Sequence, residues 1–185
     1  MNDVLRTIAA RRSIRRYEPT QIQPQTLQAI LEAGLQAPSG HNDQSWYLVA
    51  IQNPELIDQI SLGCKQAMSQ IPIDWIAELG RNEAFHVFYH APTIILVAAR
   101  KDAVSPLADA CACIQNMMIA AESLNLGSCW IGFATFFFSD PAHNRIVDLP
   151  DGYEVQYGVA LGYKPEGSKS NPPAAKYPKF YHIIP

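Results

Sequence analysis

One uninterrupted apolar run constrains the fold of this 185-residue chain more than any other feature. It extends from Thr93 to Ala99, reads Thr-Ile-Ile-Leu-Val-Ala-Ala, and is rich in β-branched residues. A strand of this composition has no polar face to expose, so both of its faces must be covered. The run therefore predicts a central strand in a sheet that carries helices on each side.

The segment that follows predicts a helix that is apolar on nearly all sides. Ser105-Pro106 is typical of a helix start, and the helix is expected to run from Leu107 to Leu126, with Asn125-Leu126-Gly127 as its C-terminal cap. A helix without a clear polar face is buried either in the core or at a subunit interface. The sequence leaves these two alternatives open.

Capping residues and periodicity predict the remaining elements. Asn2 or Asp3 can cap a first helix, and Pro24 opens a second that ends before Pro38. Val155, Tyr157, Val159 and Leu161 alternate, which predicts a strand with one buried face. The other predictions are a strand at 46–51, a helix at 55–69, a broken helix at 71–90, a strand at 128–133, a short helix at 139–149, and an ordered tail at about 163–185. Together they predict one α+β sandwich domain spanning residues 1–185.

Composition excludes several classes of function. The chain is 48% hydrophobic and 17% charged, and this apolar surplus suggests a large cofactor cavity or a subunit interface. A net charge of −3 argues against a protein that coats nucleic acid. No apolar run reaches the length of about 18 residues that a membrane-spanning helix needs. The four cysteines form no C-x-x-C pair, which favours free thiols in a reducing cytoplasm.

A basic cluster at Arg11, Arg12, Arg15 and Arg16 holds four of the fourteen Lys and Arg residues. Such a cluster either faces an anion or is a solvated basic turn. Ser13 lies between guanidinium groups, and that arrangement suits a phosphate because arginine offers forked, permanently charged donors. Neither G-x-G-x-x-G nor a P-loop motif is present, so side chains would have to hold any phosphate.

Two further groups of polar residues are candidates for a site. Ser39, Asn42 and Gln44 are uncharged donors and acceptors that could pair with a flat heterocycle, although, taken alone, they are better explained by ordinary turn chemistry. His86 and His90 have the i, i+4 spacing of metal ligands, but Val87 stands where a zinc protease motif requires Glu. We therefore expect no metal, and expect these histidines to pack or to line a pocket.

Three motifs, taken in order, resemble the FMN-dependent nitroreductase family: R-R-S-I-R-R-Y at 11–17, A-P-S-G-H-N-D-Q-S-W at 37–46, and Q-N-M-M-I-A-A-E-S-L-N-L-G-S-C-W-I-G-F at 115–133. The resemblance implies an α+β fold with a mixed, mainly antiparallel sheet flanked by helices. It also implies an intertwined homodimer that binds FMN between its subunits, with the tail at about 163–185 reaching across the dimer.

The same resemblance assigns the cofactor contacts. Arg11, Ser13 and Arg15 would hold the FMN phosphate, Arg15 would also reach the N1/O2 side of the flavin, and Arg12 would lie near the ribityl chain. The loop would come from the second subunit, Ile131 and Gly132 would lie beside the isoalloxazine with a backbone N–H for flavin N5, and a tail lysine would complete the phosphate site. The loop and tail residues are Pro38, Ser39, Gly40, His41, Asn42, Gln44 and Lys176.

The implied activity is a ping-pong reaction in which NADH or NADPH passes hydride to flavin N5. A nitroarene, quinone or similar electrophile then collects the electrons, and no side chain is required as an acid or base. Two alternatives stay open: a divergent flavoenzyme (flavin-ring cleavage, dehalogenation or enoate reduction) and a non-catalytic FMN-binding dimer. The chain departs from the family pattern at Ser45, Phe133 and Ala174, where Pro, Gly and a basic residue are common.

Overall fold

The computed structural model describes residues 1–167, and its frame is a four-stranded antiparallel sheet in the order β1-β2-β4-β3. The predicted central strand is confirmed, because β2 lies between β1 and β4 and is buried from Thr93 to Ala99. An isolated parallel bridge joins Ser13 to Ser128 and extends the sheet at the β3 edge. The strands are β1 (Trp46–Ile51), β2 (Thr93–Arg100), β3 (Leu126–Ile131) and β4 (Tyr153–Tyr163).

Residues 1–167 form six α-helices, and all but the first pack into the cores on the two faces of the sheet, so the predicted sandwich is confirmed. α2 and α5 pack on one face, whereas α3, α4 and α6 pack on the other. The helices are α1 (Asp3–Ala10), α2 (Pro24–Leu35), α3 (Pro54–Met68), α4 (Asp74–Arg81), α5 (Pro106–Ser123) and α6 (Ala134–Phe138), with 3₁₀ turns at Gly40–Asn42 and Pro141–Val147. None of these helices has the length and apolarity needed to cross a membrane.

The two helical layers bury two separate cores on opposite faces of β2. Ile94 and Leu96 point into the core beneath α3 and α6, and Ile95 and Val97 point into the core beneath α5. This split follows from the two-residue repeat of a strand. On α5, Met117 is fully buried, while an outer stripe remains partly or fully exposed: Ala108, Cys111, Gln115 and Ile119. One side of this apolar helix therefore lies in the core, and the described residues leave the other side open.

The end of α5 differs from the prediction. The helix ends at Ser123, and Asn125 adopts the left-handed conformation (φ 60°) that reverses the chain. Asparagine tolerates this conformation better than most residues, so Gly127 is not needed as a cap. Leu126 and Gly127 instead begin β3, and the predicted boundary at Leu126 was wrong.

The β4 strand does not keep the single buried face that its alternation predicts. Ala98 pairs with Val155 and Val97 pairs with Tyr157, so Gln156 is an extra residue that forms a bulge. The bulge reverses the alternation, and Val155 packs in the core opposite to that of Val159. Because β4 is an inner strand covered on both sides, residues 158–162 are buried whichever face they occupy.

The region before β2 is a helix followed by turns, as the broken periodicity predicts. α4 ends at Arg81, and the chain reaches Ala91 through turns in which Tyr89 (φ 55°) and His90 (φ 54°) are left-handed. All four cysteines are free thiols, also as predicted. Burial raises the pKa of Cys64 and Cys113 to about 12, so both remain protonated at neutral pH.

Candidate functional site

The basic segment lies along the exposed edge of β3. α1 is capped by Asn2, whose side-chain oxygen accepts the Leu5 N–H at 3.0 Å. Beyond α1 the Ile14 N–H donates to the Ser128 carbonyl at 2.9 Å, and the Tyr17 hydroxyl donates to the Ile14 carbonyl at 2.5 Å. These bonds fix the backbone of residues 13–17, so the positions of the neighbouring arginines are set by the sheet.

Gly127 allows this close approach. The Ile14 side chain lies directly over it, and a Cβ on residue 127 would come within 2.8 Å of Ile14 Cγ2. Any larger residue would push the basic segment away from β3. The glycine of the motif therefore acts on the arginines through Ile14, a role that the sequence alone did not indicate.

The arginines of this segment have no carboxylate partners among residues 1–167, where the ion pairs lie elsewhere. Arg11 Nη1 and Arg12 Nε are buried without a hydrogen-bond acceptor in the same part of the chain. A buried donor without an acceptor costs about 1–3 kcal/mol, more when it is charged. The arrangement thus favours an anion that brings its own acceptor oxygens.

Arg11 and Arg15 converge on the same strand. Burial raises the pKa of Cys129 on β3, and the positive charges of Arg15 and Arg11 oppose that rise, so both guanidinium groups lie near this thiol. The Arg15 guanidinium also lies 5.7 Å above the ring centre of Tyr89. Arg12 has a different orientation, since its Nη1 donates to the Ala9 carbonyl at 2.8 Å and covers the end of α1.

The polar loop at 38–45 is anchored by a buried carboxylate. Asp109, in the first turn of α5, is only 2% exposed. One of its oxygens accepts the Gly40 N–H at 2.9 Å, and the other accepts the Ser45 hydroxyl at 2.7 Å. Asp43 adds a second anchor by accepting from the Val104 N–H and the Arg100 guanidinium, which hold its pKa below the usual value.

The loop is held in a strained conformation. His41 (φ 53°), Asn42 (φ 58°) and Gln44 (φ 45°) are left-handed although none is glycine. A left-handed residue other than glycine costs up to about 1–3 kcal/mol, least for asparagine, and three of them within four positions persist only where their surroundings fix them. Ser39 Oγ accepts the Gln44 N–H at 2.9 Å, and Asn42 Oδ1 accepts from Gln44 Nε2 at 3.3 Å. The Ser39 hydroxyl hydrogen and the Asn42 amide nitrogen take part in neither bond. The loop therefore presents preorganised, uncharged donors.

The third predicted part of the site lies at the end of β3. Ile131 is buried, and a Cβ on residue 132 would meet no atom of residues 1–167 within 4 Å, so the backbone at Gly132 is open to a close neighbour. Phe133 follows, and a series of ring contacts connects it through Phe85 and Tyr89 to Arg15. The structure thus brings the arginine segment and the Gly132 turn together.

The polar loop at 38–45 does not join the arginine segment and the Gly132 turn within one chain. It precedes β1, whereas the arginines lie beside β3, and β1 and β3 are the two outer strands of the sheet. Pro38 is exposed at the start of the loop. Lys176 and Ala174 lie outside the described residues. Sequence reasoning also missed Asp109, Trp75, Phe85 and Phe136, and only the aromatic density near residues 75–89 and 133–138 could have indicated the last three.

Asp58, His86 and His90 lie close together, as a metal site would require. His86 Nδ1 accepts the backbone N–H groups of Phe88 (3.1 Å) and His90 (3.2 Å), so its proton is on Nε2, which donates to Asp58 at 3.1 Å. A metal on Nε2 would need the proton on Nδ1, where it would oppose two N–H donors. This geometry favours a brace between α3 and residues 86–90.

The brace predicts a pH-dependent stability. Burial, with help from His90, lowers the pKa of His86, and Asp58 opposes this effect. In the unfolded chain His86 takes up a proton near its ordinary pKa of about 6.5, whereas the folded state resists protonation. The free energy of unfolding should therefore fall as pH drops below about 6.5, and level off below the folded pKa.

Urea denaturation between pH 5 and pH 8 measures this dependence. His86→Asn keeps an acceptor near the Nδ1 position and should flatten the curve. His41→Asn, which suits the left-handed backbone of the loop, is the matched control and should keep the slope. An unchanged slope in His86→Asn would show that other groups cause it.

Comparisons with known proteins show which family has this fold. The sequence model of the nitroreductase family matches residues 8–163. A nitroreductase from Bacteroides fragilis NCTC 9343, solved with bound FMN, is 34% identical over 100% of both chains with a TM-score of 0.92. A nitroreductase from Desulfitobacterium hafniense DCB-2, also solved with bound FMN, is 27% identical over 100% of both chains with a TM-score of 0.85. The NADPH-flavin oxidoreductase of Vibrio harveyi is 27% identical over 93% of this chain and 70% of its own length.

Proposed function

The chain belongs to the nitroreductase family, and from that premise we propose that it is an FMN-dependent NAD(P)H oxidoreductase. Its acceptor would be a nitroaromatic, a quinone or a similar electrophile. The observation that carries the proposal is the set of buried donors in the arginine segment that find no acceptor within residues 1–167, which fits a phosphate. Relatives that have FMN bound, or that are named as NADPH-flavin oxidoreductases, support the cofactor and the electron donor.

The residues of the segment would divide the binding of FMN among them. Arg11 and Arg15 would hold the phosphate with charge-assisted hydrogen bonds, and the Ser13 hydroxyl would add another. Arg12 uses Nη1 for its hydrogen bond to the Ala9 carbonyl at the end of α1. It would contribute to FMN binding through Nε, which is buried without an acceptor in residues 1–167. The absence of carboxylate partners in that part of the chain keeps these cations available for an anion.

The rest of the site would position the ring. The open backbone at Gly132 would let its N–H approach a ring nitrogen, and the exposed segment around Arg15 would place a permanent positive charge beside the ring. Bound FMN would supply the two-electron chemistry, accepting reducing equivalents from NAD(P)H and passing them to the acceptor in turn. A fixed cation favours any negative charge that develops next to it during reduction. No side chain needs to act as acid or base.

A homodimer would complete the site. The apolar residues of α1 (Val4, Leu5 and Ile8) are 61%, 51% and 46% exposed, and α1 buries none of its residues in the single chain. α1 contacts α5, whose outer stripe is also open. Apolar surface of this extent is typical of a subunit interface. A second copy packed on these faces would also explain how the strained loop, far from the arginines of its own chain, could reach FMN.

A spectrum of the purified protein tests the proposal. We expect the two visible absorption bands of oxidised flavin, after incubation with FMN if purification removes it. Anaerobic NADH or NADPH should bleach these bands, and menadione or 4-nitrobenzoate should restore them. Protein that binds no flavin would contradict the cofactor. Flavin that stays oxidised would contradict the enzyme and indicate a non-catalytic FMN-binding protein.

A further inference from the structure

Trp75 is a large aromatic side chain that the described residues leave 60% exposed. It lies in the first turn of α4, where the next residues, Ile76 and Ala77, are buried against the core. The indole does not share that burial, although it has as much apolar area as any side chain. A single exposed ring is common on protein surfaces, so the significance of Trp75 depends on the rings that adjoin it.

The indole is the outer member of a cluster of rings centred on Phe133. The Phe133 ring centre lies 6.2 Å from each of three other centres, those of Trp75, Phe85 and Phe136. We call these four residues the aromatic wall. Their rings come from three different parts of the chain: α4, the turn at residues 83–90, and the start of α6. Phe133 directly follows Gly132, so the wall borders the open backbone at the end of β3.

The wall is built on supported backbone. The Lys65 ammonium donates to the Glu83 carbonyl at 3.4 Å, and the His86–Asp58 brace fixes the same turn at the residue directly after Phe85. Tyr89, in a left-handed conformation, packs edge-on against Phe85 with ring centres 6.1 Å apart. A rigid aromatic surface can recognise a ligand with little loss of conformational entropy.

The four rings carry no formal charge and offer only an indole N–H as a donor. Such a surface attracts flat, uncharged molecules through stacking and burial of apolar area. It gives no advantage to a compact acceptor that binds without reaching it. A second fused ring adds the area that would extend from the site toward Phe133 and Trp75.

We propose that Trp75 and Phe133 are specificity-determining residues, which select flat, uncharged acceptors with two fused rings over acceptors with one ring. The proposal rests on the proposed function, because it places the acceptor beside the Gly132 turn. It adds to that function a size preference that follows from this chain's own residues, including the Phe133 that replaces the glycine common in the family.

The test uses the holoenzyme with 1,4-naphthoquinone and 1,4-benzoquinone, which differ by one fused ring. An aromatic contact contributes about 0.5–1.5 kcal/mol, so Trp75→Ala and Phe133→Ala should each lower kcat/KM for naphthoquinone by about 2- to 12-fold. For benzoquinone the change should stay below about twofold. Comparing each variant with the parent for each quinone cancels the intrinsic reactivity of the two acceptors.

Calorimetry on the oxidised holoenzyme without NAD(P)H provides a readout that does not depend on turnover. Naphthoquinone should bind more weakly to both variants by the same factor as kcat/KM falls. Tyr47→Ala removes another exposed aromatic side chain, on β1 and paired with Tyr153, and should change neither quinone.

The outcomes separate the two claims. Equal losses for both quinones, or no loss for either, would overturn the aromatic wall as a selector while the proposed function stood. A parent enzyme that NAD(P)H cannot reduce would overturn the proposed function itself, and calorimetry would still report whether the wall binds fused rings.

Discussion

Replacing Arg11 and Arg15 together with alanine should give a colourless protein. Both guanidinium groups lie near Cys129, and neither has a carboxylate partner within residues 1–167. A hydrogen bond to a charged group contributes about 1.5–3 kcal/mol, so losing two should weaken FMN binding by about 10²- to 10⁴-fold. Titration of apo-protein with FMN, followed by flavin fluorescence, measures the dissociation constant.

A charge-matched control separates phosphate binding by Arg11 and Arg15 from an effect of net charge. Arg16→Ala with Arg81→Ala removes two arginines, one from the same segment and one from the exposed end of α4, and should leave the dissociation constant within about threefold. Riboflavin lacks the phosphate, so the Arg11→Ala/Arg15→Ala variant should lose less affinity for riboflavin than for FMN, with only the contact between Arg15 and the ring removed. If the Arg11→Ala/Arg15→Ala variant has the same FMN dissociation constant as the parent, Arg11 and Arg15 are excluded as the phosphate site.

The sequence predicts those parts of the fold that depend on local patterns of residues. The apolar run at 93–99 can only be a covered strand, and Pro24 and Pro106 begin helices where they were expected. The bulge at Gln156 escaped prediction because the apolar residues still alternate along the sequence, although the bulge changes the face on which they lie. Its effect appears only when β4 is paired with β2.

The candidate site likewise contains residues that the sequence indicates and residues that only the fold reveals. The arginines and the Gly132 turn belong to short motifs, and the resemblance to the family, rather than residue type alone, assigns them to the site. Asp109 accepts a hydrogen bond from Gly40, 69 residues away in the sequence, and a contact over this separation leaves no periodic pattern of residues. Trp75 reaches Phe133 only because α4 and α6 pack on the same face of the sheet. Residues that bind a group directly are visible in the sequence, whereas residues that position or select are visible only in the fold.

The loop at 38–45 depends on such a positioning residue, and Asp109→Ala should release it. The substitution leaves the Gly40 N–H and the Ser45 hydroxyl without their acceptor, at about 1–3 kcal/mol each. The left-handed residues His41, Asn42 and Gln44 then lose the contacts that hold them. We expect the free energy of unfolding to fall by about 2–5 kcal/mol, and FMN to bind about tenfold more weakly or worse.

Asp109→Asn distinguishes positioning from simple stability. Its amide oxygen can accept the Gly40 N–H, and its amide nitrogen can donate to Ser45 Oγ, so the variant should keep FMN affinity within about threefold. Asp102→Ala removes an exposed carboxylate that pairs with Arg100 near the same loop, and it controls for charge. Hydrogen exchange at the Gly40 amide should speed up only in Asp109→Ala. If Asp109→Ala lowers stability but binds FMN as the parent does, Asp109 supports the fold without positioning the loop for the cofactor.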